Sequence, residues 1–397
     1  MPYPAVDPRQ SFPELEERVL ARWRERDVFG ESMRRREGAE PYVFYEGPPT
    51  ANGKPYSHHV LARVFKDIYP RYKTMQGHHV LRKGGWDCHG LPVEIAVEQK
   101  LGFKNKHDIE AYGIEAFNRE CRESVLSNVD DWTRLTERIG YWVDTDAAYK
   151  TMDASFVESV WWALATLHER ELLYEGHKVV PYCARCGTAL SSHEVAQGYA
   201  DVEDPSIYVK FPLDDGDQLL VWTTTPWTLV SNAAVAVDPD LTYVRADLAG
   251  EVFVLAEALV ERVLGEDVEI LARFPGADLL GRAYEPPFPF IGASEYGEKG
   301  HTVLPGDFVS AEDGTGIVHT AIAFGEDDFR LGAEHGLNVI NPVRLDGTYD
   351  ERIGPYAGRW VKDADADLVE DLRGRGRLFR AETLLHSYPH CWRDGTP

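Results

Sequence analysis

Two short runs that are typical of strands flank one amphipathic stretch early in the chain, and this order constrains the fold more than any other feature. Residues 42–46 predict a buried strand that ends at the glycine and prolines of residues 47–49. From about His58, apolar residues recur at a spacing of 3.6, which predicts a helix. Residues 78–82 predict the next strand, with a turn at Gly84-Gly85. Strand, helix and strand at this spacing predict a βαβ unit, a parallel sheet and an α/β fold.

The pattern changes after about residue 200. Short β-rich runs follow one another, separated by turns rich in Gly, Asp and Pro, which predicts a β-dominated domain up to about residue 385. These runs are residues 207–211, 219–223, 233–237 and 252–255. A length of 397 residues leaves room for two or three domains. We therefore expect one domain over residues 1–199 and a second over residues 200–385, with residues 386–397 as a separate segment.

The formal net charge of −24 argues against a nucleic-acid coat protein with basic faces everywhere. No apolar run is long enough to cross a bilayer, and the N-terminus lacks the apolar region of a secretory signal. Five cysteines without an export signal favour free thiols in a reducing cytoplasm, with no membrane partner.

The charge is unevenly distributed. Residues 54–83 contain seven Lys or Arg residues and a single carboxylate, Asp67. Two interpretations remain open: a solvated basic helix face, or a local phosphate-binding patch on an acidic protein.

Two adjacent histidines mark the start of the predicted helix. His58 and His59 follow the turn at residues 48–53, which is rich in Pro and Gly. A helix N-terminus offers free N–H groups and a partial positive charge, which suits an anion such as phosphate. A purely structural role for the histidine pair is the alternative.

Several motifs around these histidines resemble those of a known family. The runs YEGPPTANGKP, KDIYPRYKTMQG and GWDCHGLPVE resemble the first half of the catalytic domain of class I aminoacyl-tRNA synthetases, and the last run is closest to the isoleucine enzymes. The resemblance extends over essentially the whole chain. It implies a Rossmann-like catalytic domain, ATP and Mg²⁺ as cofactors, and isoleucine and its tRNA as substrates.

One motif departs from the family pattern. The family signature His-Ile-Gly-His aligns with Tyr56-Ser57-His58-His59, so only His59 is in register. We expect both histidines to act in catalysis, with His58 replacing the first histidine of the signature.

The same resemblance implies a set of substrate- and ATP-binding residues: Gly47, Pro48, Asn52 and Asp87. Pro48 would line the amino-acid pocket, and Asn52 would lie with His59 beside the carboxyl group and the phosphates. Asp87 would hold the substrate ammonium, since a carboxylate is an anionic acceptor. The alternative for Asp87 is a turn residue after Gly84-Gly85.

Two further motifs lie in the β-rich region. Thr223, Thr224 and Thr225 alone would reflect β-propensity. Together with Thr228 and the run from Gly314 to Asp328, they resemble the proofreading domain inserted in the isoleucine, valine and leucine synthetases. The resemblance implies the following catalytic residues in that domain: Thr225, Thr228 and His319, which line the pocket and place water, and Asp328, which binds the ammonium of the misattached amino acid. Asp327 is the neighbouring alternative.

The expected reaction of this domain is hydrolysis of valyl-tRNA. Valine lacks one methylene of isoleucine, and for isoleucine–tRNA ligases, the standard example of this limit, a pocket discriminates by only about 1–3 kcal/mol. A second, smaller pocket that hydrolyses the wrong ester restores fidelity. Water attack needs positioned polar groups, and no Ser–His–Asp arrangement suggests a covalent intermediate.

Four residues suggest a metal site. Cys183 and Cys186 have the C-x-x-C spacing of a zinc knuckle, and Cys391 and Asp394 repeat that spacing near residue 390. Many relatives are expected to carry a second C-x-x-C there. His390 is an alternative fourth ligand, and a knuckle that survives without Zn²⁺ is the alternative for the whole site.

A second ATP motif of the family, Lys-Met-Ser-Lys-Ser, does not occur, since none of the four methionines precedes Ser-Lys. The resemblance therefore implies the N-terminal part of a class I synthetase of the isoleucine type. We expect the first half of a Rossmann-like catalytic domain with an inserted β-rich editing domain, in which residues 386–397 return to the catalytic domain. A stand-alone tRNA-binding paralogue without synthetic activity and a trans-editing aminoacyl-tRNA deacylase are the alternatives.

The missing motif gives a first prediction. We expect the purified chain to show no isoleucine-dependent exchange between ATP and pyrophosphate, because the residues that stabilise the departing pyrophosphate are missing. A heat-inactivated sample sets the background of the assay. Exchange clearly above that background would contradict the prediction.

Overall fold

The computed structural model describes residues 9–104 and 106–397. The chain divides into two compact units, Met1–Glu175 and Gly176–Pro397. This division lies upstream of the boundary predicted at residues 199 and 200, so the segment with the predicted zinc knuckle belongs to the second unit. The limits at residues 199, 200 and 385, expected from the change in sequence pattern, remain a prediction.

The first unit is mainly helical. Its helices are α1 (Phe12–Glu25), α2 (Val28–Arg34), α3 (Ser57–Met75), α4 (Leu91–Leu101), α5 (Lys106–Tyr112), α6 (Ile114–Ser124), α7 (Val129–Arg138) and α8 (Ala154–Glu169). The helix predicted from about His58 is confirmed as α3. Many of its apolar side chains are exposed, including Phe65 and Tyr69, so the periodicity identified the helix but not its buried face.

Strands β1 (Lys83–Trp86) and β2 (Asp144–Lys150) form a two-stranded parallel sheet. The predicted α/β class and parallel pairing are therefore confirmed, but the predicted strand positions were wrong. Residues 42–46 form no strand; isolated parallel bridges join Pro41 to His79 and Thr50 to Asp87.

The pair Gly84-Gly85, predicted as a turn, lies inside strand β1. A Cβ atom on Gly85 would lie 2.5 Å from the ring of Tyr149, and one on Gly84 would lie 2.9 Å from the carbonyl oxygen of Asp144. The glycines thus allow the two strands to approach closely, which is a known use of glycine within strands.

Most of the basic residues between 54 and 83 have structural partners. Arg63 contacts Thr136, Lys66 contacts Glu46, Arg71 contacts Asp67, and Arg82 contacts Thr74. These contacts support neither sequence interpretation in full, because four of the seven cations are tied into the fold rather than lying on an open face.

The second unit is rich in strands. They are β3 (Tyr182–Cys183), β4 (Thr188–Ala189), β5 (Tyr199–Pro212), β6 (Gln218–Thr223), β7 (Ala234–Val237), β8 (Thr242–Leu248), β9 (Glu251–Ala256), β10 (Glu269–Pro275), β11 (Val303–Pro305), β12 (Val318–Thr320) and β13 (Leu378–Pro389). The α-helices are α9 (Ser192–Ala196), α10 (Val260–Leu264), α11 (Ala293–Tyr296), α12 (Glu326–His335) and α13 (Val361–Gly374). Four 3₁₀ helices span Pro226–Ser231, Glu257–Leu259, Gly276–Leu279 and Glu351–Tyr356.

Nine of these strands form one mixed sheet. Its main path runs β10-β8-β9-β6-β12-β7-β11, and β5 pairs with both β6 and β13. The four β-rich runs predicted from the sequence lie largely in β5, β6, β7 and β9, which confirms the β-dominated character of this region. The core is built from the fully buried side chains of these strands, such as Ile207, Leu219 and Val235.

The first and last strands of this sheet pair along almost their whole length. The antiparallel register of β5 and β13 runs from Tyr199 opposite Pro389 to Val209 opposite Leu378. The chain therefore enters and leaves the sheet at the same end. No helix within the described residues is long and apolar enough to cross a membrane.

The close approach at β1 gives a stability prediction. Replacement Gly85→Ala is expected to destabilise the protein by about 1–3 kcal/mol, because the new methyl group overpacks against Tyr149. Tyr149 cannot easily move aside, since its hydroxyl donates to the carbonyl oxygen of Glu46 at 2.9 Å. Urea unfolding followed by circular dichroism should show a lower midpoint. Gly53→Ala, where a Cβ atom meets nothing within 4 Å, is the control; an equal effect of both replacements would contradict the prediction.

Candidate functional site

Strand pairing brings together two motifs that lie about ninety residues apart in the sequence. β12, which carries His319, pairs with β6 on one side and with β7 on the other. The segment after β6 carries Thr225 and Thr228. The Oγ1 atom of Thr228 lies 3.0 Å from Nε2 of His319 and 3.3 Å from Oγ1 of Thr225. The fold thus assembles Thr225, Thr228 and His319 into one cluster.

The tautomer of His319 is fixed by a buried asparagine. Asn232 Nδ2 donates to Nδ1 of His319 at 2.8 Å and to the carbonyl oxygen of Ala234 at 2.9 Å. The Oδ1 atom of Asn232 accepts from the hydroxyl of Tyr284 at 2.6 Å, so the amide has only one satisfactory orientation. Because Nδ1 accepts, the proton of the neutral ring sits on Nε2 and is donated to Thr228. The sequence analysis missed Asn232 and Tyr284, because neither residue belongs to a recognisable catalytic or binding motif.

Burial sets the protonation state of this ring. It lowers the pKa of His319 to about 4, so the imidazole is neutral at physiological pH. The hydroxyl oxygen of Thr228 accepts a hydrogen bond from Nε2–H of His319, and its hydroxyl donates to the carbonyl oxygen of Thr225 at 2.9 Å. The hydrogen bonds therefore give the threonine hydroxyls a defined direction.

Asp328 lies in the first turn of α12, and its side chain turns back toward the segment after β12. Its Oδ2 atom accepts from the backbone N–H of Ala321 at 2.9 Å, two residues beyond His319. Gly325 permits this approach, because a Cβ atom there would lie 2.9 Å from the carboxyl carbon of Asp328.

Asp328 and Asp327 have different surroundings. Burial, together with the neighbouring charge of Asp327, raises the pKa of Asp328 to about 6 despite the hydrogen bond from Ala321. Asp327 is exposed and pairs with Arg330 at 3.1 Å. Of these two residues, Asp328 therefore combines partial burial with an unusually basic carboxylate, which is the expected character of a functional group.

Aromatic side chains supply apolar surface near the threonines. Trp227 lies between Thr225 and Thr228 in sequence, and its ring packs edge-on against Phe324, with centroids 4.9 Å apart. The carbonyl oxygen of Trp227 accepts from the hydroxyl of Tyr349 at 2.7 Å, which anchors this turn.

In the first unit, the turn at residues 48–53 lies beside the end of β1. Asp87 donates its backbone N–H to Pro49 and accepts from Thr50 Oγ1 at 3.3 Å and from the N–H of His89 at 3.4 Å. Asn52 Nδ2 donates to the carbonyl oxygen of Pro92 at 2.9 Å. The fold thus brings Asp87 to the turn that contains Pro48 and Asn52, as the bridge between Thr50 and Asp87 also indicates.

Gly47 begins this turn. Its carbonyl oxygen accepts from Nζ of Lys66 at 2.7 Å, and Lys66 also pairs with the buried carboxylate of Glu46 at 2.9 Å. These contacts hold the start of the turn against helix α3.

The two histidines differ in their contacts. The rings of His58 and His59 lie 3.8 Å apart, and His58 is exposed. His59 Nδ1 accepts the backbone N–H of Tyr56 at 2.9 Å, so it helps to cap α3, and its ring packs edge-on against Trp132. Burial and the charges of His58 and Arg63 lower the pKa of His59. Its Nε2 atom therefore carries the proton of the neutral ring and is a donor.

Cys183, Cys186, Cys391 and Asp394 form one cluster in the second unit. Their candidate ligand atoms all lie within 4.8 Å of one another. Cys183 and Cys186 flank the tight turn between β3 and β4, and Cys391 and Asp394 follow β13. His390 instead directs Nδ1 toward the carbonyl oxygen of Tyr388, at 3.0 Å, so Asp394 is the fourth member. Three sulfurs and one carboxylate fit a tetrahedral zinc site.

The protonated thiols of this cluster bind its carboxylate. Cys186 Sγ donates to Asp394 Oδ2 at 3.0 Å, and Cys183 Sγ lies 3.5 Å from the same oxygen. Burial raises the pKa of Cys183 to about 11 and also raises the pKa of Cys186. Because zinc binds thiolates, metal uptake must release these protons and should strengthen as the pH rises.

Residues 18–362 match the family model described as tRNA synthetases class I (I, L, M and V). The chain belongs to this family. The match covers the turn with Asn52, the threonine cluster and Asp328 of this class I synthetase chain.

Curated relatives are similar in sequence to this class I synthetase chain over essentially its whole length. It is 53% identical over 402 residues to the isoleucine–tRNA ligase of Thermobifida fusca, covering 100% of the chain and 38% of that protein. It is 52% identical to the enzyme of Streptomyces coelicolor, covering 99% of the chain and 38% of that protein. For the enzyme of Thermus thermophilus the identity is 50%, over 98% of the chain and 37% of that protein. The chain thus spans little more than a third of the length of these relatives.

The cysteine cluster gives a metal prediction. We expect zinc bound by the wild-type chain to be lost in Cys183→Ser and retained in Cys121→Ser, because Cys121 lies in α6 outside the cluster. Asp394→Cys completes a four-sulfur set and should hold zinc more strongly against a chelator. Elemental analysis after gel filtration measures the metal content, and circular dichroism checks the fold. Equal zinc in the wild type and in Cys183→Ser would refute this assignment.

Proposed function

We propose that this chain is part of an isoleucine–tRNA ligase whose second unit hydrolyses valyl-tRNA formed in error. One observation carries the proposal: a single short segment, residues 319–321, contacts both parts of the site. His319 at its start contacts Thr228, and Ala321 at its end donates to Asp328. The relatives at about 50% identity, all isoleucine–tRNA ligases, support the synthetic part.

Asp328 is suited to bind the ammonium group of a misattached amino acid. One carboxylate oxygen accepts from Ala321, and Oδ1 has no hydrogen-bond partner among the described residues. An ammonium is a compact donor, and a partly buried carboxylate binds it through a charge-assisted hydrogen bond worth about 1.5–3 kcal/mol.

The threonine cluster is suited to position the attacking water. In the proposed step, the water oxygen attacks the ester carbonyl carbon, the bond between that carbon and the tRNA ribose oxygen breaks, and a proton from the water ends on the departing ribose oxygen. His319 already donates Nε2–H to Thr228 and accepts at Nδ1, so neither ring nitrogen is free to take a proton. We therefore assign His319 a positioning role, in which it orients the hydroxyls of Thr228 and Thr225.

The aliphatic side chain of valine requires a pocket too small for isoleucine. Trp227 and Phe324 offer a rigid apolar wall near the threonines. A size limit of this kind complements a synthetic site that discriminates the two amino acids by only about 1–3 kcal/mol.

For the synthetic reaction we propose that the first unit contributes to binding of ATP, with Mg²⁺, and of isoleucine. His59 Nε2 is a donor at the start of α3, where the free N–H groups of the helix also favour phosphate. Gly47, Pro48 and Asn52 belong to the adjacent turn, and Asp87 is the candidate for the substrate ammonium. We place this activity in the cytoplasm, with isoleucine tRNA as the partner.

The editing proposal predicts that Asp328→Asn slows hydrolysis of pre-formed valyl-tRNA by about ten- to a hundredfold, since each 1.36 kcal/mol of lost stabilisation is a factor of ten. The matched control is Asp327→Asn, which removes the same charge one residue away from an exposed position. Circular dichroism checks the fold of each variant. If Asp327→Asn is slow and Asp328→Asn is normal, the register is shifted by one; if both are normal, this pocket does not edit.

The same carboxylate predicts a pH dependence. Asp328 must be ionised to bind an ammonium, and its pKa is raised to about 6, so wild-type hydrolysis should fall as the pH drops through 6. Asp328→Asn should lose this step in the pH profile of the hydrolysis rate. An unchanged step in that variant would show that another group causes it.

A further inference from the structure

A cavity of about 430 Å³ in the first unit is lined by four arginines, and no reaction step above uses it. They are Arg26, Arg35, Arg36 and Arg71; Glu31 is the only carboxylate in the lining. The lining is therefore locally positive, although the chain as a whole has a net charge of −24. Repulsion between guanidinium groups is offset where each group has a carboxylate partner, and a bound anion would offset it for those that have none.

Two of the four arginines already have strong partners. Arg35 pairs with Glu31 at 2.7 Å. Arg71 pairs with Asp67 at 2.6 Å, donates to the carbonyl oxygen of Gly140, and stacks 3.9 Å from the ring centre of Trp142. These two side chains form a fixed part of the cavity wall.

The other two arginines retain free donors. Arg36 donates through Nε to the carbonyl oxygen of Thr74 at 3.0 Å, which holds the side chain and leaves both terminal nitrogens without a partner among the described residues. Arg26 is exposed, and its side chain likewise has no hydrogen-bond or ion-pair partner there. Planar guanidinium donors of this kind match the oxygen geometry of phosphate.

A fifth arginine lies behind the wall. Arg82 is 1% exposed and donates to Thr74, a lining residue, while its Nε and Nη1 atoms have no partner. Its guanidinium faces the aromatic rings of Phe29 and Trp142 rather than a paired carboxylate. Burial lowers its pKa to about 10, so it stays charged at neutral pH and adds positive potential behind Thr74.

We propose that this cavity binds a phosphate group, held by the terminal nitrogens of Arg36 and by Arg26. The phosphate comes either from a small free phosphate compound or from the backbone of an RNA, and the chemistry of recognition is the same. The proposal is independent of the editing reaction and of the metal site, because none of their residues lines the cavity.

The test compares two double variants of the full chain. Arg26→Gln/Arg36→Gln removes the free donors of the cavity. Arg18→Gln/Arg22→Gln removes two exposed arginines from α1, which lies next to the cavity but contributes neither residue to its lining. The single variant Arg26→Gln, at an exposed position, keeps the test valid if the replacement of Arg36 reduces stability.

Binding of inorganic phosphate is measured by calorimetry, and binding of a short RNA hairpin is measured at several salt concentrations. We expect the cavity variant to bind phosphate about tenfold more weakly or worse, and the α1 variant to bind it like the wild type. If RNA is the source, the cavity variant also loses RNA affinity with a salt dependence reduced by about two phosphate contacts, and free phosphate competes with RNA. If a free phosphate compound is the source, RNA binding is the same in both variants. Absence of phosphate binding by the wild type, or an equal loss in both double variants, overturns the proposal.

Discussion

The position of β12 between β6 and β7 determines the chemistry of the second unit. A strand of only three residues, Val318–Thr320, pairs in parallel with β6 and antiparallel with β7. Through this pairing, His319 lies against the turn that follows β6, and Asp328 is held by the segment that follows β12. A shift of β12 by one residue would turn His319 to the other face of the sheet and separate it from Thr228.

Local sequence patterns predicted the helices and strands that carry this site better than they predicted the side-chain contacts between them. The β-rich runs and the start of α3 follow from periodicity, and they lie where the pattern indicated. The family motifs pointed to the threonines, His319 and Asp328. Asn232 could not be found in this way, because its role depends on Tyr284 and His319, which lie 52 and 87 residues away in the sequence and meet it only in the fold.

The errors in the first unit have a physical cause. Glycine pairs are usually turn residues, so Gly84-Gly85 predicted a turn; in the fold they are strand residues, because Tyr149 and the backbone of Asp144 occupy the space of a side chain. The apolar stripe of α3 correctly predicted a helix. The buried residues of that helix are nevertheless Arg63, Pro70 and Thr74, and the polar side chains of Arg63 and Thr74 find partners that a hydropathy pattern does not reveal.

The long pairing of β5 with β13 has a consequence for how such a unit is joined to other protein. Because Tyr199 lies opposite Pro389, the two ends of the intervening chain are already held side by side. Bringing the two ends of this long segment together costs conformational entropy, and the pairing of β5 with β13 offsets that cost within the segment itself. Adjacent ends of this kind are the geometry of a hairpin loop on a larger scale, so a segment built like residues 199–389 needs only two neighbouring attachment points.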